Sequence, residues 1–480
     1  MDEHINETPR TPVHRPRRKK SKLQLFKEAY LPLLILALAA ILVITFIAGA
    51  VSRSVANHKA AAEASKAAEA SIAAQQAQER DQVQQLLAEA EALAEKYDYQ
   101  GALDLLATFT GDTSNYPALE AKRAAYTEAM KDLQIYSDPS VVPNLSFQML
   151  IADPERAFND DVYGSAYNRN YVTTDEFSKI LQQLYDNQYM LVSMHDLVTV
   201  GTNEKGETVF QPKPLMLPAG MKPIVLTQTA ANYYTYMTDG DDDGLPDAGG
   251  DGFPYRLNLD ENGRFISEMV DAAGNKVSGA FDFVTILEDF VQKHPDFSYN
   301  GARAVLAVTG YDGVFGYRTD SGSVESMGEA YRDLEIAGAQ KVVQALKNAG
   351  YELACYSYEN LSYGESDYET MTADLDAWIA EVGSILGDVD IMVYPYGEDL
   401  TDALTEPYSG DRYLALQSAG FKYFVGMDSD KVSDAFVGDQ YFRQIRKLVT
   451  GSNMAYDADS FATMFDAKTV LNSQRGEIPE

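Results

Sequence analysis

Residues 29–51 limit this chain more than any other stretch. Ala29 to Val51 is twenty-three residues without a single charged side chain, rich in Leu, Ile and Ala. At about 1.5 Å rise per residue, a helix of that length matches a hydrocarbon core about 30 Å thick. The run is apolar on every face, whereas a core helix of a globular domain carries an apolar stripe. Ahead of it, residues 1–28 hold eight basic side chains (Arg10, Arg15, Arg17, Arg18, Lys19, Lys20, Lys22, Lys27) and four acids. The positive-inside rule keeps such a leader in the cytoplasm and places the chain beyond residue 51 outside. The whole chain carries −33, so setting the +4 of the leader aside leaves −37 beyond it. Ala48-Gly49-Ala50 resembles a signal-peptide cleavage site, which is the competing reading. An apolar run longer than the usual h-region of about 7–15 residues, behind a long basic leader, favours a retained single-pass anchor.

The remainder is long enough for two or three domains. A chain this acidic repels phosphate backbones, which argues against nucleic acid as a partner. One cysteine, Cys355, excludes an intramolecular disulfide framework. Five histidines (His4, His14, His58, His195, His294) are too widely spaced to pair as metal ligands. From Val55 to about Tyr97 the sequence is dominated by Ala, Glu, Gln and Lys without Gly or Pro, which predicts a solvated helical stalk. Ala94 to Leu106 then reads as the turn of a helical hairpin, a spacer with scope for a protein partner along the stalk. Beyond Asp138-Pro139, short apolar runs alternate with amphipathic stretches. The expected strands are Lys222–Thr227, Arg303–Thr309, Tyr351–Ser357, Asp390–Pro395 and Lys422–Met427. Thr174–Asn187, Phe281–Lys293, Gly328–Ala349 and Asp367–Leu386 are the expected helices. That alternation predicts an α/β fold with a mainly parallel sheet, whose chemistry gathers at the carboxyl ends of the strands.

Several segments in order carry a resemblance: Val142-Pro143-Asn144-Leu145-Ser146-Phe147, Tyr171 to Phe177, Leu191-Val192-Ser193, Phe297 to Gly301, Thr309 to Thr319, and Tyr394-Pro395-Tyr396-Gly397. Over about residues 140–455 the chain resembles the polysaccharide deacetylase (carbohydrate esterase) family, close to a membrane-anchored bacterial subgroup. The resemblance implies a distorted (β/α) barrel, which together with the residue-level reading gives four expected segments: basic tail 1–28, transmembrane helix 29–51, helical stalk and hairpin 52–137, and deacetylase-like domain 138–480. In active members an aspartate and two histidines hold a zinc ion, and a second aspartate is the base. The metal lowers the pKa of its bound water and stabilises the oxyanion. Here the base position falls on Thr229, the metal-ligand positions on Ala230, Tyr356 and Asn360, and a histidine after the first strand on Gln148. Alanine has no donor atom, and neutral Tyr and Asn are poor zinc ligands beside imidazole. The expectation is therefore a pseudoenzyme without zinc that binds or organises cell-wall or surface glycan. Its rivals are an active deacetylase using other groups, such as Asp312, Glu359 or Asp153, and a structural or assembly protein of the cell envelope.

Other features stand beside that reading. Asp239-Gly240-Asp241-Asp242-Asp243-Gly244-Leu245-Pro246-Asp247 matches a calcium loop, with ligands Asp239, Asp241, Asp243, the Leu245 carbonyl and Asp247. Gly250 stands where such loops carry glutamate, and a solvated acidic loop is the alternative. Cys355 lacks a cationic neighbour in sequence and reads as a small semi-buried residue. His195 and His294 read as structural. Thirty-one tyrosines against one tryptophan supply Tyr233, Tyr234, Tyr356, Tyr358, Tyr394 and Tyr396 near strand ends. Phenol rings pack on sugar faces while their hydroxyls bond sugar hydroxyls, so these six are glycan-platform candidates. The alternative is that they cap the barrel core.

Overall fold

A computed structural model describes residues 30–159, 162–241, 243–428 and 430–479; for Glu325 and Ser326 it describes the backbone alone. The basic leader, with His4 and His14, lies outside the described residues, as do Ala29 and Asp242. The chain divides into two units, Met1–Gln84 and Gln85–Glu480. Helix α1 runs unbroken from Leu31 to Ala94, 64 residues, and its N-terminal part is long and apolar enough to cross a membrane. The expected apolar and stalk segments are therefore one continuous helix, as uninterrupted helix formers dictate.

The second unit opens on a helical hairpin. The end of α1 packs with α2 (Tyr99–Ala107) and α3 (Pro117–Ala129), burying Leu86, Ala90, Ala102, Leu106 and Leu119. Asp98 caps α2 by accepting from the Gly101 N–H at 2.8 Å. The backbone carbonyl of Lys96 accepts from Asn300 N–H at 2.9 Å, fixing the hairpin turn against the barrel. Residues Leu133–Tyr136 form a strand antiparallel to Leu215–Pro218.

Seven parallel strands close the barrel, running round it in chain order: β1 (Asn144–Phe147), β2 (Lys222–Gln228), β3 (Val305–Val308), β4 (Glu352–Cys355), β5 (Ile391–Val393), β6 (Tyr423–Met427) and β7 (Phe442–Leu448). Strand Tyr189–Leu191 pairs with the first half of β2, so only Thr227 and Gln228 at its far end reach β3. That wedge is the distortion of the barrel. The expected strands all appear, one or two residues shorter at most ends. Their near-continuous apolar runs suit strands buried on both faces. Val225, Val305, Ala307, Ala354, Ile391, Val393, Val425 and Phe442 fill the interior. Alternate residues (Leu145, Phe147, Leu226, Leu306, Val308, Leu353, Met392, Phe424) face the helices α4 (Thr174–Asp186), α5 (Phe283–Lys293), α6 (Glu329–Ala349), α7 (Tyr368–Trp378) and α8 (Gly410–Ser418). Capping boxes start α4 (Thr173 with Glu176) and α5 (Asp282 with Thr285), and Phe177 stacks on Phe283 at 4.7 Å between them.

Three features depart from the sequence reading. The expected single helix Asp367–Leu386 is α7, then a π-turn over Ile379–Gly383, then a short helix Ser384–Leu386. A three-stranded antiparallel sheet (Arg256–Leu259, Phe265–Val270, Lys276–Gly279) is inserted between β2 and α5. β7 contains two arginines and a lysine, all buried and each held differently. Arg443 pairs with Asp399 at 2.7 Å, Arg446 donates to the carbonyls of Val425 and Tyr394, and Lys447 pairs with Asp457 at 2.7 Å.

Candidate functional site at the barrel mouth

The carboxyl ends of β2 to β5 open into loops whose backbone is strained. Ten described non-glycine residues have positive φ, and seven of them lie in these loops: Ala230, Tyr233, Asp312, Phe315, Ser357, Asn360 and Tyr396. Each such residue costs on the order of 1 kcal/mol or more, so the surroundings must over-determine it, and such strain clusters at functional sites. The ties are present. The Asn232 amide donates to the carbonyls of Thr309 (2.8 Å) and Gly313 (2.5 Å) and accepts from Thr309 N–H, stitching the loop after β2 to the loop after β3. Arg318 donates to the carbonyls of Asp312 (2.7 Å) and Tyr233 (3.0 Å), and Asp312 accepts from Thr235 N–H at 2.8 Å.

Thr229, Ala230, Tyr356 and Asn360 follow the carboxyl ends of β2 and β4. Thr229 is buried, its hydroxyl donating to the Phe147 carbonyl at 3.3 Å. Ala230 is half-buried at φ 53°. Tyr356 is half-buried, its phenol against the Arg446 guanidinium, and Asn360 lies near the Tyr234 phenol. Gln148 stands apart, donating to the Asn170 carbonyl at 3.4 Å. Among the described residues, the one group of three metal-ligating side chains within reach of a common ion is Asp239, Asp241 and Asp247, not these positions. Alanine offers no donor atom, and neutral Thr, Tyr and Asn are poor zinc ligands, so these four side chains do not fit zinc. Of the rival groups, Asp153 is paired with Arg156 at 3.1 Å, Asp312 is held by Thr235, and Glu359 is exposed.

The six platform tyrosines divide. Tyr233 and Tyr394 are buried, Tyr233 donating to Asp282 at 2.5 Å and Tyr394 accepting from the Tyr408 hydroxyl at 3.2 Å, so neither ring offers a face. Tyr234 is nearly buried beneath the rim, and Tyr358 is half-buried with its phenol on Glu381 at 2.7 Å. Tyr356 is half-buried, and Tyr396 is 65% exposed. Three exposed rings that the strand-end reading passes over join the rim: Tyr163, Tyr236 and Tyr311, each 41–51% exposed. Tyr236 stacks on Tyr234 (5.7 Å, 17°) and approaches Tyr163 (5.9 Å), while Tyr311 leans on Tyr234 (5.6 Å). Burial pushes the phenols of Tyr234, Tyr236 and Tyr171 up, and Tyr311 is raised by the Asp312 charge and by burial. These phenols are neutral hydrogen-bonding groups, not bases.

A solved structure is similar at a distance. It is the Streptococcus pyogenes deacetylase PplD in complex with acetate, 12% identical, with a TM-score of 0.33 over 66% of this chain and 95% of that one. No protein-family profile matches the chain, and no curated protein does.

The acidic loop follows the η-turn Thr235–Met237 beyond β2. Ligand atoms of Asp239, Asp241 and Asp247 lie within 4.8 Å of one another. Asp243 is not in that group; its carboxylate accepts from Leu245 N–H at 2.8 Å. The Asp243 charge raises the Asp241 carboxyl. Cys355 is buried on the helix side of β4, and burial pushes its thiol well up, which keeps it protonated and inert.

Neither His195 nor His294 belongs to the mouth. His195 sits at the amino ends of β4 and β5, its Nδ1 against Glu352 and its Nε2 3.0 Å from Asp390. Burial pulls its pKa down, and the two carboxylates more than reverse this, to about 10. His294 ends α5 with its ring on Tyr185 at 4.4 Å. A cavity of about 850 Å³ is also away from the mouth. Lys96, Phe265, Glu288, Gly301, Arg303 and Gly350 line it, on the side where β3 and β4 begin.

Proposed function

We propose that this chain is a membrane-tethered, extracytoplasmic saccharide-binding protein built on a deacetylase-like barrel that has lost acetyl hydrolysis. One observation carries the reading. The strained mouth is ringed by exposed phenols (Tyr163, Tyr236, Tyr311, Tyr396), while Thr229, Ala230, Tyr356 and Asn360 offer neither a zinc-ligand set nor a base. Exposed rings suit the apolar faces of pyranoses, and neutral phenols suit their hydroxyls. The apolar N-terminal part of α1 is the anchor in this reading, with the acidic domain outside the cell.

The test uses the full-length chain in nanodiscs. Zinc content, acetate release from N-acetylated and O-acetylated glycans, and glycan binding are measured on one preparation. The expected result is binding without acetate release, weakened at least tenfold by Tyr236→Ala together with Tyr311→Ala. Stoichiometric zinc with metal-dependent acetate release would overturn the reading.

A second site is favoured by the convergence of Asp239, Asp241 and Asp247: a calcium ion held by these three, with the Leu245 carbonyl as a further ligand. Its role is to pin the loop after β2 at the rim, because a hard oxygen cage supplies no imidazole-bound hydroxide.

A further inference from the structure

We propose that the barrel mouth takes the carboxylate of an acidic saccharide, with the Arg446 guanidinium as its counter-charge and the Ser146 hydroxyl as a second donor. This rests on the saccharide-binding reading and names the substrate class for it.

The first ground is a charge without a partner. Arg446 lies on β7 and is 2% exposed, yet among the described residues no carboxylate stands within ion-pair distance. Its two terminal nitrogens donate to the carbonyls of Val425 (3.1 Å) and Tyr394 (2.9 Å), and its Nε has no hydrogen-bond partner. The other buried arginines of this domain each have a carboxylate partner, although the Nε of Arg443 is likewise without a hydrogen bond. Arg443 holds Asp399, and Arg475 holds Glu176. A buried cation is ordinarily paired, because its desolvation is compensated only by an opposite charge and full hydrogen bonding. Backbone carbonyls orient the guanidinium without neutralising it.

The second ground is independent of the charge. Ser146, on the neighbouring strand β1, is fully buried and its hydroxyl also lacks a partner. Register puts Ser146 opposite Thr227 and Leu448, and Arg446 two residues before Leu448, so both project into the barrel interior near its carboxyl end. One layer below, Asn144, Thr227 and Gln444 form a closed hydrogen-bonded set (Thr227 hydroxyl to Asn144 at 2.8 Å, Asn144 amide to Gln444 at 3.1 Å). The polar layer beneath is complete and the layer at the mouth is not. Two unpaired polar groups on adjacent strands, one of them cationic, are complementary to a planar carboxylate, which accepts from a guanidinium and a hydroxyl at once.

Tyr356 governs access. It is half-buried with its phenol against the guanidinium, so rotation of that one ring admits the ligand while the rim rings hold the sugar.

The experiment compares saccharides that differ only in charge. Oligomers of galacturonate, glucuronate and muramate are titrated onto the full-length chain in nanodiscs, each beside its own methyl ester. At least one acid is expected to bind tenfold or more tighter than its ester. Arg446→Met should erase that preference and leave ester binding intact. Because Arg446→Met removes a buried strut, Ser146→Ala provides the control. Deleting a hydroxyl without a partner should leave the melting temperature unchanged or raised, and weaken acid binding several-fold with no effect on the ester. Equal binding of every acid and its ester means that the two groups hold only water, and overturns this proposal while the saccharide reading stands. A preference that survives both substitutions also overturns it. Failure of acids, esters and neutral N-acetylated oligomers alike overturns the saccharide reading and this proposal with it.

Discussion

Arg475→Met should destabilise the barrel domain by about 3–5 kcal/mol, the usual cost of leaving one member of a buried ion pair alone. The C-terminal segment reaches back across the domain, and this side chain is its buried charged tie. Its Nε and one terminal nitrogen grip Glu176 at 2.6 and 2.7 Å, and both side chains are within 2% of complete burial. The same guanidinium donates to the Asn168 carbonyl and to the Tyr171 carbonyl, each at 2.6 Å. Glu176 in turn accepts from Thr173 N–H and Asn472 N–H, each at 2.8 Å, so removing the arginine strands a carboxylate that also closes the α4 capping box. Methionine fills the aliphatic volume, so the loss is electrostatic and not a cavity. For a domain near 400 residues, roughly 1–2 °C of melting temperature accompanies each kcal/mol, giving a fall of about 3–10 °C. Adding Glu176→Gln to Arg475→Met should recover more than half of it, because the stranded charge is gone. Differential scanning fluorimetry and urea unfolding of the four members of the cycle read this out. A change below about 1 kcal/mol in Arg475→Met, or equal losses in the single and double variants, would refute the reasoning. The Tyr171 carbonyl is part of the grip and the Tyr171 phenol meets Tyr236, so rim binding should weaken in the same variant.

Three further outcomes follow from the geometry. His195 is raised to about 10, so its contribution is fully present below its unfolded pKa near 6.5 and is lost as pH rises through 10. With the imidazole side chain 42% exposed, screening holds that contribution to about 1 kcal/mol, and His195→Gln should flatten the fall in melting temperature between pH 7 and pH 10.5. Calcium should raise the melting temperature of the full-length chain, and Asp247→Asn should abolish the shift; indifference to calcium and chelator alike would leave the loop a solvated turn. Phe177→Ala, which removes a ring stacked on Phe283 and set edge-on to Phe147, should cost about 3–5 kcal/mol in urea unfolding.

Strands β2 to β6 are legible because each is a short apolar run bounded by turns, the pattern a strand buried on both faces requires. β7 is not legible, because Arg443, Arg446 and Lys447 mask it; only Asp399, Asp457 and two carbonyls, distant in sequence, reveal how a charged strand is buried. The inserted sheet hides for another reason: its strands are half-exposed and separated by Asp- and Gly-rich turns at 260–263 and 271–274. At the mouth, sequence proximity to a strand end identifies the neighbourhood but not the facing. Tyr233 and Tyr234 are adjacent, yet one phenol reaches Asp282 beneath the barrel wall and the other lies under the rim. Tyr236 and Tyr311 owe their exposure to loop conformations fixed by Asn232, Asp312 and Arg318, contacts that no local pattern encodes.

The central claim, binding at the mouth without hydrolysis, is tested most directly by one NMR experiment. The full-length chain is mixed with an N-acetylated oligosaccharide in the presence of zinc. Saturation transfer to the sugar and acetyl protons reports binding, and the free-acetate methyl signal reports hydrolysis in the same spectra. The account predicts transfer that disappears in Tyr236→Ala with Tyr311→Ala, and no growth of acetate over days. Acetate accumulating with time and with zinc, or no transfer at all, would contradict it.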